Sequence, residues 1–182
     1  MRILNVDLPA MADYYFQIGD QLAKVDGFIG LSVWRNPQDT EAFLVAYEYR
    51  DVAAAERGLG TVTGVRNQMV AKLDSVQPAD VLRVRISGQS TRKLHEAPAT
   101  AYLSMSVRIA DPGYGPELVD EIGQIFSELE LFPGYIGSVY GTNDTLEEEV
   151  IGIVTWASHD AYQGSIPPGK KPRLLSIYSR FY

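Results

Sequence analysis

The chain has 182 residues and no cysteine, and its 23 Asp and Glu residues against 16 Lys and Arg give a formal net charge of −7. The lack of cysteine excludes disulfides, thiolate metal sites and cysteine nucleophiles, and the acidic balance argues against nucleic-acid partners, which need a basic surface. Neither an apolar run long enough to span a membrane nor a secretory signal is present, so the sequence predicts a cytoplasmic protein without a membrane partner.

The first half of the chain predicts the order strand, helix, strand, strand, helix, strand. Leu4, Val6 and Leu8 alternate with other residues as in a half-buried strand, Gly27 ends the helix that follows, and Asp51 is expected to cap the next helix. The predicted segments are strand Arg2–Leu8, helix Ala10–Val25, strands Phe28–Arg35 and Ala42–Arg50, helices Val52–Arg57 and Thr63–Leu73, and strand Asp80–Ser87.

The second half predicts the same order of elements after a polar linker, Gly88–Ala99. Ser158 is expected to cap its short second helix. The predicted segments are strand Tyr102–Ala110, helix Glu117–Leu131, strands Tyr135–Gly141 and Glu149–Trp156, a helix from Ser158 to Gln163, and strand Arg173–Tyr182.

An internal repeat connects the two halves. The segment Gly27–Gly30 (GFIG) returns as Gly134–Gly137 (GYIG), an offset of 134 − 27 = 107 residues. The same offset aligns further pairs, among them Asp13 with Asp120, Gln17 with Gln124, and Tyr49 with Trp156. The sequence therefore predicts a tandem duplication, with modules at residues 1–92 and 93–182.

The repeated order of elements defines the expected fold class. Strand-helix-strand-strand-helix-strand is the ferredoxin-like module, in which helices cover only one face of an antiparallel sheet. The uncovered face of each sheet needs a partner, and two sheets pack about 10 Å apart. We therefore expect an α+β fold of two tandem ferredoxin-like modules, packed sheet to sheet as an intrachain barrel with a cavity between the sheets.

Four segments carry a resemblance to a known family. In the first half they are Asp26–Gly30 (DGFIG) and Tyr47–Asp51 (YEYRD), and in the second half Pro133–Gly137 (PGYIG) and Val154–Ser158 (VTWAS). This pattern resembles the antibiotic-biosynthesis-monooxygenase-like family of the dimeric α+β barrel superfamily. The resemblance implies a cofactor-independent oxygenase acting on an aromatic or polyketide-like small molecule, so no cofactor is expected.

Strand alternation assigns polar side chains to the cavity between the predicted sheets. Arginines and tyrosines there would suit an anionic or phenolic aromatic ligand, through charge-assisted hydrogen bonds and stacking. The opposing interpretation places these side chains at strand ends in water. A one-residue shift in register would reverse every assignment. The candidate substrate-binding residues are Arg85, Tyr102, Arg108, Tyr178 and Arg180.

The resemblance adds four candidate catalytic residues: Asn5, Tyr49, Arg83 and Trp156. In oxygenase-like members of the family, residues of these types orient an anthrol-type substrate and stabilise its anion. The alternative is that Tyr49 and Trp156 only fill the core.

Other functions stay open at this point. One is a non-catalytic ligand-binding or stress-responsive barrel protein. Another is heme binding or degradation, for which the family pattern requires an asparagine, a tryptophan and a histidine within a helix. Here His159 follows Trp156 by three residues, at the start of a helix, so that set is incomplete in both halves.

The spacing of His95 and His159 does not favour a metal site. A homodimer in addition to the internal repeat also stays open.

Overall fold

The computed structural model describes residues 8–70, 82–167 and 175–182. These residues form an α+β fold, as expected. The predicted first strand lies outside the described residues except for Leu8, which begins the first helix. The elements are α1 Leu8–Leu22, β1 Phe28–Arg35, β2 Phe43–Tyr49, α2 Val52–Val70, β3 Val84–Gln89, β4 Tyr102–Ile109, α3 Gly115–Leu129, β5 Tyr135–Asn143, β6 Leu146–Trp156, α4 His159–Gly164 and β7 Leu175–Arg180.

The described residues belong to two compact units. The first contains the described residues from Leu8 to Val70 together with Phe181–Tyr182, and the second contains the described residues from Leu82 to Arg180. The predicted module boundary at residues 92 and 93 stays a prediction. Among the described residues, no helix is long and apolar enough to cross a membrane.

The first unit is built on the antiparallel hairpin of β1 and β2. Alternate residues of β1, including Leu31 and Val33, pack against α1 in a core that also contains the fully buried Ile18 and Leu22. The last residue of the chain joins this unit, because the Val33 amide donates to the Tyr182 carbonyl at 2.9 Å.

Helix α2 is continuous, although the sequence predicted two shorter helices with a break near Gly58. The expected cap is confirmed, since the Asp51 carboxylate accepts a hydrogen bond from the Ala54 amide at 2.8 Å. Gly58 lies directly beneath the Tyr49 ring, where an added Cβ would collide with that ring. The glycine that suggested a break therefore provides room for packing, and its lower helix propensity costs only about 1 kcal/mol.

The second unit contains an antiparallel sheet in the order β7-β4-β6-β5-β3. The first four strands have the order expected of one ferredoxin-like module. Strand β3 follows α2 in the sequence, yet it pairs with β5, as Ile86 opposite Gly141 shows. The alternation within a strand indicates which residues share a face, but it does not identify the neighbouring strand.

The two faces of this sheet differ in what covers them. One face packs against α3 and α4, and its core includes Phe126, Val154 and Trp156. The opposite face carries Leu103 and Thr155, which are 0% and 1% exposed. Both faces are buried over much of their area, so polarity alone does not distinguish them.

A tight turn between α3 and β5 requires glycine at position 134. Gly134 has φ 84°, and an added Cβ would lie 2.5 Å from Cβ of Ala161. We expect Gly134→Ala to lower the free energy of unfolding by about 3 kcal/mol, because it combines left-handed strain with overpacking. Urea denaturation measures this loss.

Gly113→Ala is the matched control for this prediction. Gly113 has φ 85°, but an added Cβ would meet no atom within 4 Å. This variant should carry the strain alone, about 1 kcal/mol. Equal losses in the two variants would show that the contact with Ala161 contributes nothing.

Candidate functional site

Trp156 lies on the helix-covered face of the second unit and is 1% exposed. Its indole Nε1 donates a hydrogen bond to Oγ of Ser104 at 3.0 Å. In the sheet, Trp156 is the register partner of Tyr102 on β4 and of Tyr135 on β5. The tryptophan is therefore fixed in a dry position, with tyrosines on both neighbouring strands.

Further rings complete an aromatic cluster around Trp156. Ring centroids are 6.2 Å apart for Tyr135 and Trp156, 6.4 Å for Trp156 and Tyr162, and 5.5 Å for Tyr102 and His159. The start of α4 brings His159 and Tyr162 to the sheet. The expected cap at this start is confirmed, because the Ser158 hydroxyl accepts from the Ala161 amide at 3.1 Å. We name the five residues with these rings the aromatic cluster: Tyr102, Tyr135, Trp156, His159 and Tyr162.

A crevice of about 240 Å³ adjoins this cluster between the sheet and α3. We name it the Tyr140 crevice. Two glycines allow the Tyr140 ring to lie there, since an added Cβ at Gly88 would collide with the ring and one at Gly123 would lie 2.6 Å from its hydroxyl. Its lining includes Ser90, Phe126, Glu130, Ser138 and Tyr140.

The polar groups at the Tyr140 crevice are connected by short contacts. The Tyr135 hydroxyl lies 2.8 Å from Oγ of Ser138, and it donates to Oε1 of Glu130 at 3.4 Å. The Ser138 amide donates to Oγ of Ser90 at 2.9 Å. Among the described residues, no partner accepts from or donates to the Tyr140 hydroxyl, so that group is available to a ligand.

Burial determines the protonation of the tyrosines beside the crevice. Desolvation raises the pKa of Tyr135, and the hydrogen bond with Ser138 opposes this rise. Burial also raises the pKa of Tyr162. Both phenols therefore stay neutral at physiological pH. The crevice thus presents a carboxylate, a free phenol and an aromatic wall formed by Phe126.

Three predicted residues, Tyr102, Arg108 and Trp156, lie on the same face of the sheet. Trp156 and Val150 of β6 belong to the core between the sheet and the helices. Tyr102 lies opposite Trp156, and Arg108 lies opposite Val150, so both residues of β4 lie on the helix-covered face. The alternation had assigned Tyr102 and Arg108 to the face away from the helices, so the structure reverses their side. Both alternating sets in β4 contain buried residues, which removes the polarity signal needed to choose a face.

Tyr178 and Arg180 lie on the opposite face of the same sheet. Tyr178 is the register partner of Leu103, and burial raises its pKa. Arg180 donates to the backbone carbonyls of Leu94 and His95, each at 3.3 Å. Arg180 thus anchors the short turn Leu94–Glu96.

The other predicted arginines are exposed at one end of this sheet. Arg85 pairs with Asp144 at 2.5 Å, and its side chain is 70% exposed. Arg83 accepts a hydrogen bond from the Asp144 amide through its backbone carbonyl, at 2.7 Å. Neither arginine lines the Tyr140 crevice.

Of the remaining two predicted residues, Tyr49 belongs to the first unit and Asn5 lies outside the described residues. Tyr49 ends β2, contacts Phe28 with ring centroids 5.6 Å apart, and packs over Gly58. Burial raises its pKa. The assignment of catalytic and substrate-binding roles to these residues stays a prediction.

Sequence reasoning missed Glu130, Tyr135 and Tyr140 as candidate functional residues. The strand register shifts between Tyr135 and Gly137, and this shift places Tyr135, Ser138 and Tyr140 on one face despite their unequal spacing. Strict alternation separates Tyr135 from Tyr140. The sequence carries one signal of this shift, which is the second glycine of the GYIG segment, because glycine within a strand often marks such a bulge.

Comparisons with solved structures agree with this fold. A proposed monooxygenase from Fusobacterium nucleatum matches at a TM-score of 0.78, with 11% identity over 100% of this chain and 89% of that chain. An anthrone oxidase-like protein matches at 0.69, with 15% identity over 98% and 88%. A ferredoxin-fold protein related to antibiotic biosynthesis monooxygenases, from Listeria monocytogenes, matches at 0.55, with 9% identity over 92% and 88%.

No protein-family model and no curated protein sequence matches the chain. Similarity at these low identities concerns the fold alone. The resemblance predicted from the sequence is confirmed at that level: the chain has an α+β, ferredoxin-like fold similar to that of monooxygenase-related proteins.

Proposed function

We propose that the chain is a cofactor-independent oxygenase that oxidises a small, electron-rich aromatic molecule in the Tyr140 crevice. The observation that carries this proposal is that the Tyr140 hydroxyl, which has no hydrogen-bond partner among the described residues, lines the same crevice as the Glu130 carboxylate and the Phe126 ring. The structural similarity to an anthrone oxidase-like protein and to a proposed monooxygenase supports this class of reaction.

Each group in the crevice has a chemical role in this proposal. Oxygen reacts with an aromatic molecule without a cofactor when that molecule is first converted to an electron-rich anion. Glu130 is the candidate base that removes the proton, and the Tyr140 hydroxyl donates a hydrogen bond to the resulting oxyanion. The neutral Tyr135 hydroxyl orients the Glu130 carboxylate from 3.4 Å.

The reaction balances with molecular oxygen as the oxidant. Glu130 takes one proton from the reactive methylene carbon of an anthrone-type substrate. The carbanion reduces oxygen and forms a C–O bond, and the resulting peroxide anion takes the proton back from Glu130, which gives a hydroperoxide. Loss of the second C–H proton and cleavage of the O–O bond then form a carbonyl and release water. One oxygen atom remains in the quinone and the other leaves as water.

Anthrone in aerated buffer tests this proposal. We expect the purified chain to accelerate quinone formation, measured by absorbance, with one oxygen molecule consumed for each quinone formed. The control is spontaneous oxidation of anthrone without protein and with heat-denatured protein. Rates equal to these controls for anthrone and for its hydroxylated derivatives would reject catalysis of this reaction.

A second candidate function is binding of a small ligand without catalysis. The volume of the Tyr140 crevice, about 240 Å³, is below the usual range of roughly 300–1,000 Å³ for ligand pockets, so the ligand in either function is a compact molecule. Saturable binding of anthrone without oxygen, combined with no turnover in air, would identify this function.

We also propose that the two halves derive from one duplicated module. Local geometry at the 107-residue offset supports this. Gly27 and Gly134 have φ 86° and 84°, and their carbonyls accept from the amides of Arg50 and Ala157 at 2.8 and 2.7 Å. Strand register also shifts directly after both glycines. Unrelated segments would not be expected to share a turn in this detail.

A further inference from the structure

A second crevice, of about 610 Å³, lies where β4 runs into α3. We name it the Arg108 crevice. Among the described residues, this crevice and the Tyr140 crevice share no lining residue, so the two are separate. Its chemically informative lining residues are Arg108, Asp111, Tyr114, Glu117, Leu118 and Glu121.

Arg108 provides the positive charge in this lining. Its Nε is buried, and among the described residues it has no hydrogen-bond partner. A buried N–H group without a partner is unfavourable and uncommon in folded proteins. A guanidinium presents several donors in a fixed plane, which matches the geometry of a carboxylate. Arg108 as a whole is half-buried and lines the crevice, so the part of its guanidinium that faces the crevice is placed to bind a carboxylate.

Three carboxylates share the crevice with Arg108, giving the ionisable lining a formal charge of 1 − 3 = −2. Glu117 and Glu121 are four residues apart on α3, so they lie on one side of the helix. Asp111 precedes this helix in the connecting turn. All three carboxylates are exposed to solvent, so their field is partly screened.

This arrangement discriminates between ligands by charge. A simple anion would satisfy Arg108 but would be repelled by three carboxylates. A simple cation would be attracted by the carboxylates but repelled by the Arg108 guanidinium in the same lining. A molecule with both charges avoids both penalties. The start of α3 adds support, because no side chain caps its N-terminal amides.

We propose that the Arg108 crevice binds a small zwitterion that carries a carboxylate and an ammonium group, as an amino acid does. The carboxylate pairs with Arg108, and the ammonium group faces Glu117 and Glu121. The apolar side chain of Leu118 contacts the carbon chain between the two charges.

Three probes with the same carbon skeleton test this assignment: 6-aminohexanoate, hexanoate and hexylamine. Titrations are followed by NMR of the arginine Nε–H resonances and of the backbone amides in α3. We expect saturable shifts at Arg108, Glu117 and Glu121 with 6-aminohexanoate, and affinities for the two singly charged probes weaker by about 10-fold or more.

Variants separate the two charges. Arg108→Gln should weaken binding of 6-aminohexanoate by at least about 10-fold, and the double variant Glu117→Gln, Glu121→Gln should reduce its advantage over hexanoate. Arg92→Gln, an exposed arginine that does not line this crevice, is the matched control and should bind normally. Urea denaturation verifies that each variant is folded.

The assignment is overturned if hexanoate binds as tightly as 6-aminohexanoate, if none of the probes shifts Arg108, or if the double variant keeps the full preference. Oxidation of anthrone is a separate readout that depends on the Tyr140 crevice, so its presence or absence does not bear on this assignment.

Discussion

Glu130→Gln is expected to lower kcat/KM for the oxidation of anthrone by about 100-fold, because it removes the carboxylate that accepts the proton. Glutamine keeps the size of the side chain and its amide oxygen still accepts from the Tyr135 hydroxyl, so the local structure should be retained. The rate is measured as quinone formation at several concentrations of anthrone, after subtraction of spontaneous oxidation.

Glu128→Gln is the control for the loss of a negative charge. Glu128 is an exposed carboxylate two residues earlier on α3, and positions two apart do not share a side of a helix. Its activity should be normal. If both variants lose activity equally, the effect belongs to the overall charge and Glu130 is not the base.

Tyr140→Phe adds a second measure of the same site. The variant removes only a hydroxyl that, among described residues, has no hydrogen-bond partner, so the free energy of unfolding should change little. Activity should fall by about 10-fold to 100-fold, because the oxyanion loses a donor. Tyr178→Phe, on the opposite face of the sheet, should leave activity unchanged. A loss with Tyr178→Phe instead would favour the face that the sequence had assigned.

Trp156→Ala is expected to lower the free energy of unfolding by about 3–5 kcal/mol. The side chain is 1% exposed and packs within a cluster that includes Phe126, Val154 and Tyr162, so truncation leaves a cavity that rigid strands cannot fill. Urea denaturation, monitored by circular dichroism rather than by tryptophan fluorescence, measures the change.

Two smaller substitutions separate the contribution of the indole hydrogen bond from that of apolar packing. Ser104→Ala leaves the indole Nε1 buried without its acceptor and should cost about 1–3 kcal/mol. Trp156→Phe retains most of the apolar contact and should fall between the other two variants. A loss below 1 kcal/mol for Trp156→Ala would contradict a core role and would leave the side chain available for ligand contact.

The order of elements was predictable because it depends on local signals. Residues in the turns around Gly27 and Gly134 repeat at a fixed offset, and Asp51 and Ser158 are both at helix caps. Such signals lie within a few residues of the structure that they produce. The break predicted near Gly58 failed because packing against Tyr49 outweighs the low helix propensity of glycine.

The pairing of β3 was not predictable from these signals. Strand β3 pairs with β5, some 50 residues later in the chain, and short strands with mixed polarity do not specify such a partner. The orientation of β4 failed for a related reason. Its two alternating sets, with Ser104 and Leu103 as examples, are both buried, so the period of two was visible but the face was not.

The candidate site was only partly predictable. The sequence identified Trp156 and Tyr102, which are register partners beside the site. Glu130 comes from the end of a helix, and Tyr140 follows a shift in strand register, so neither belongs to a regular pattern shared with Trp156. Only the packing of α3 against β5 brings these two residues to one crevice.

An anaerobic titration with anthrone, followed by NMR of the assigned aromatic rings, tests the central claim most directly. Without oxygen, binding is observed separately from turnover. We predict saturable shifts for the rings of Tyr140 and Phe126 and none for Tyr178, since the last ring lies on the opposite face of the sheet. Shifts at Tyr178 without shifts at Tyr140 would contradict the claim and would place the aromatic ligand on the face away from the helices.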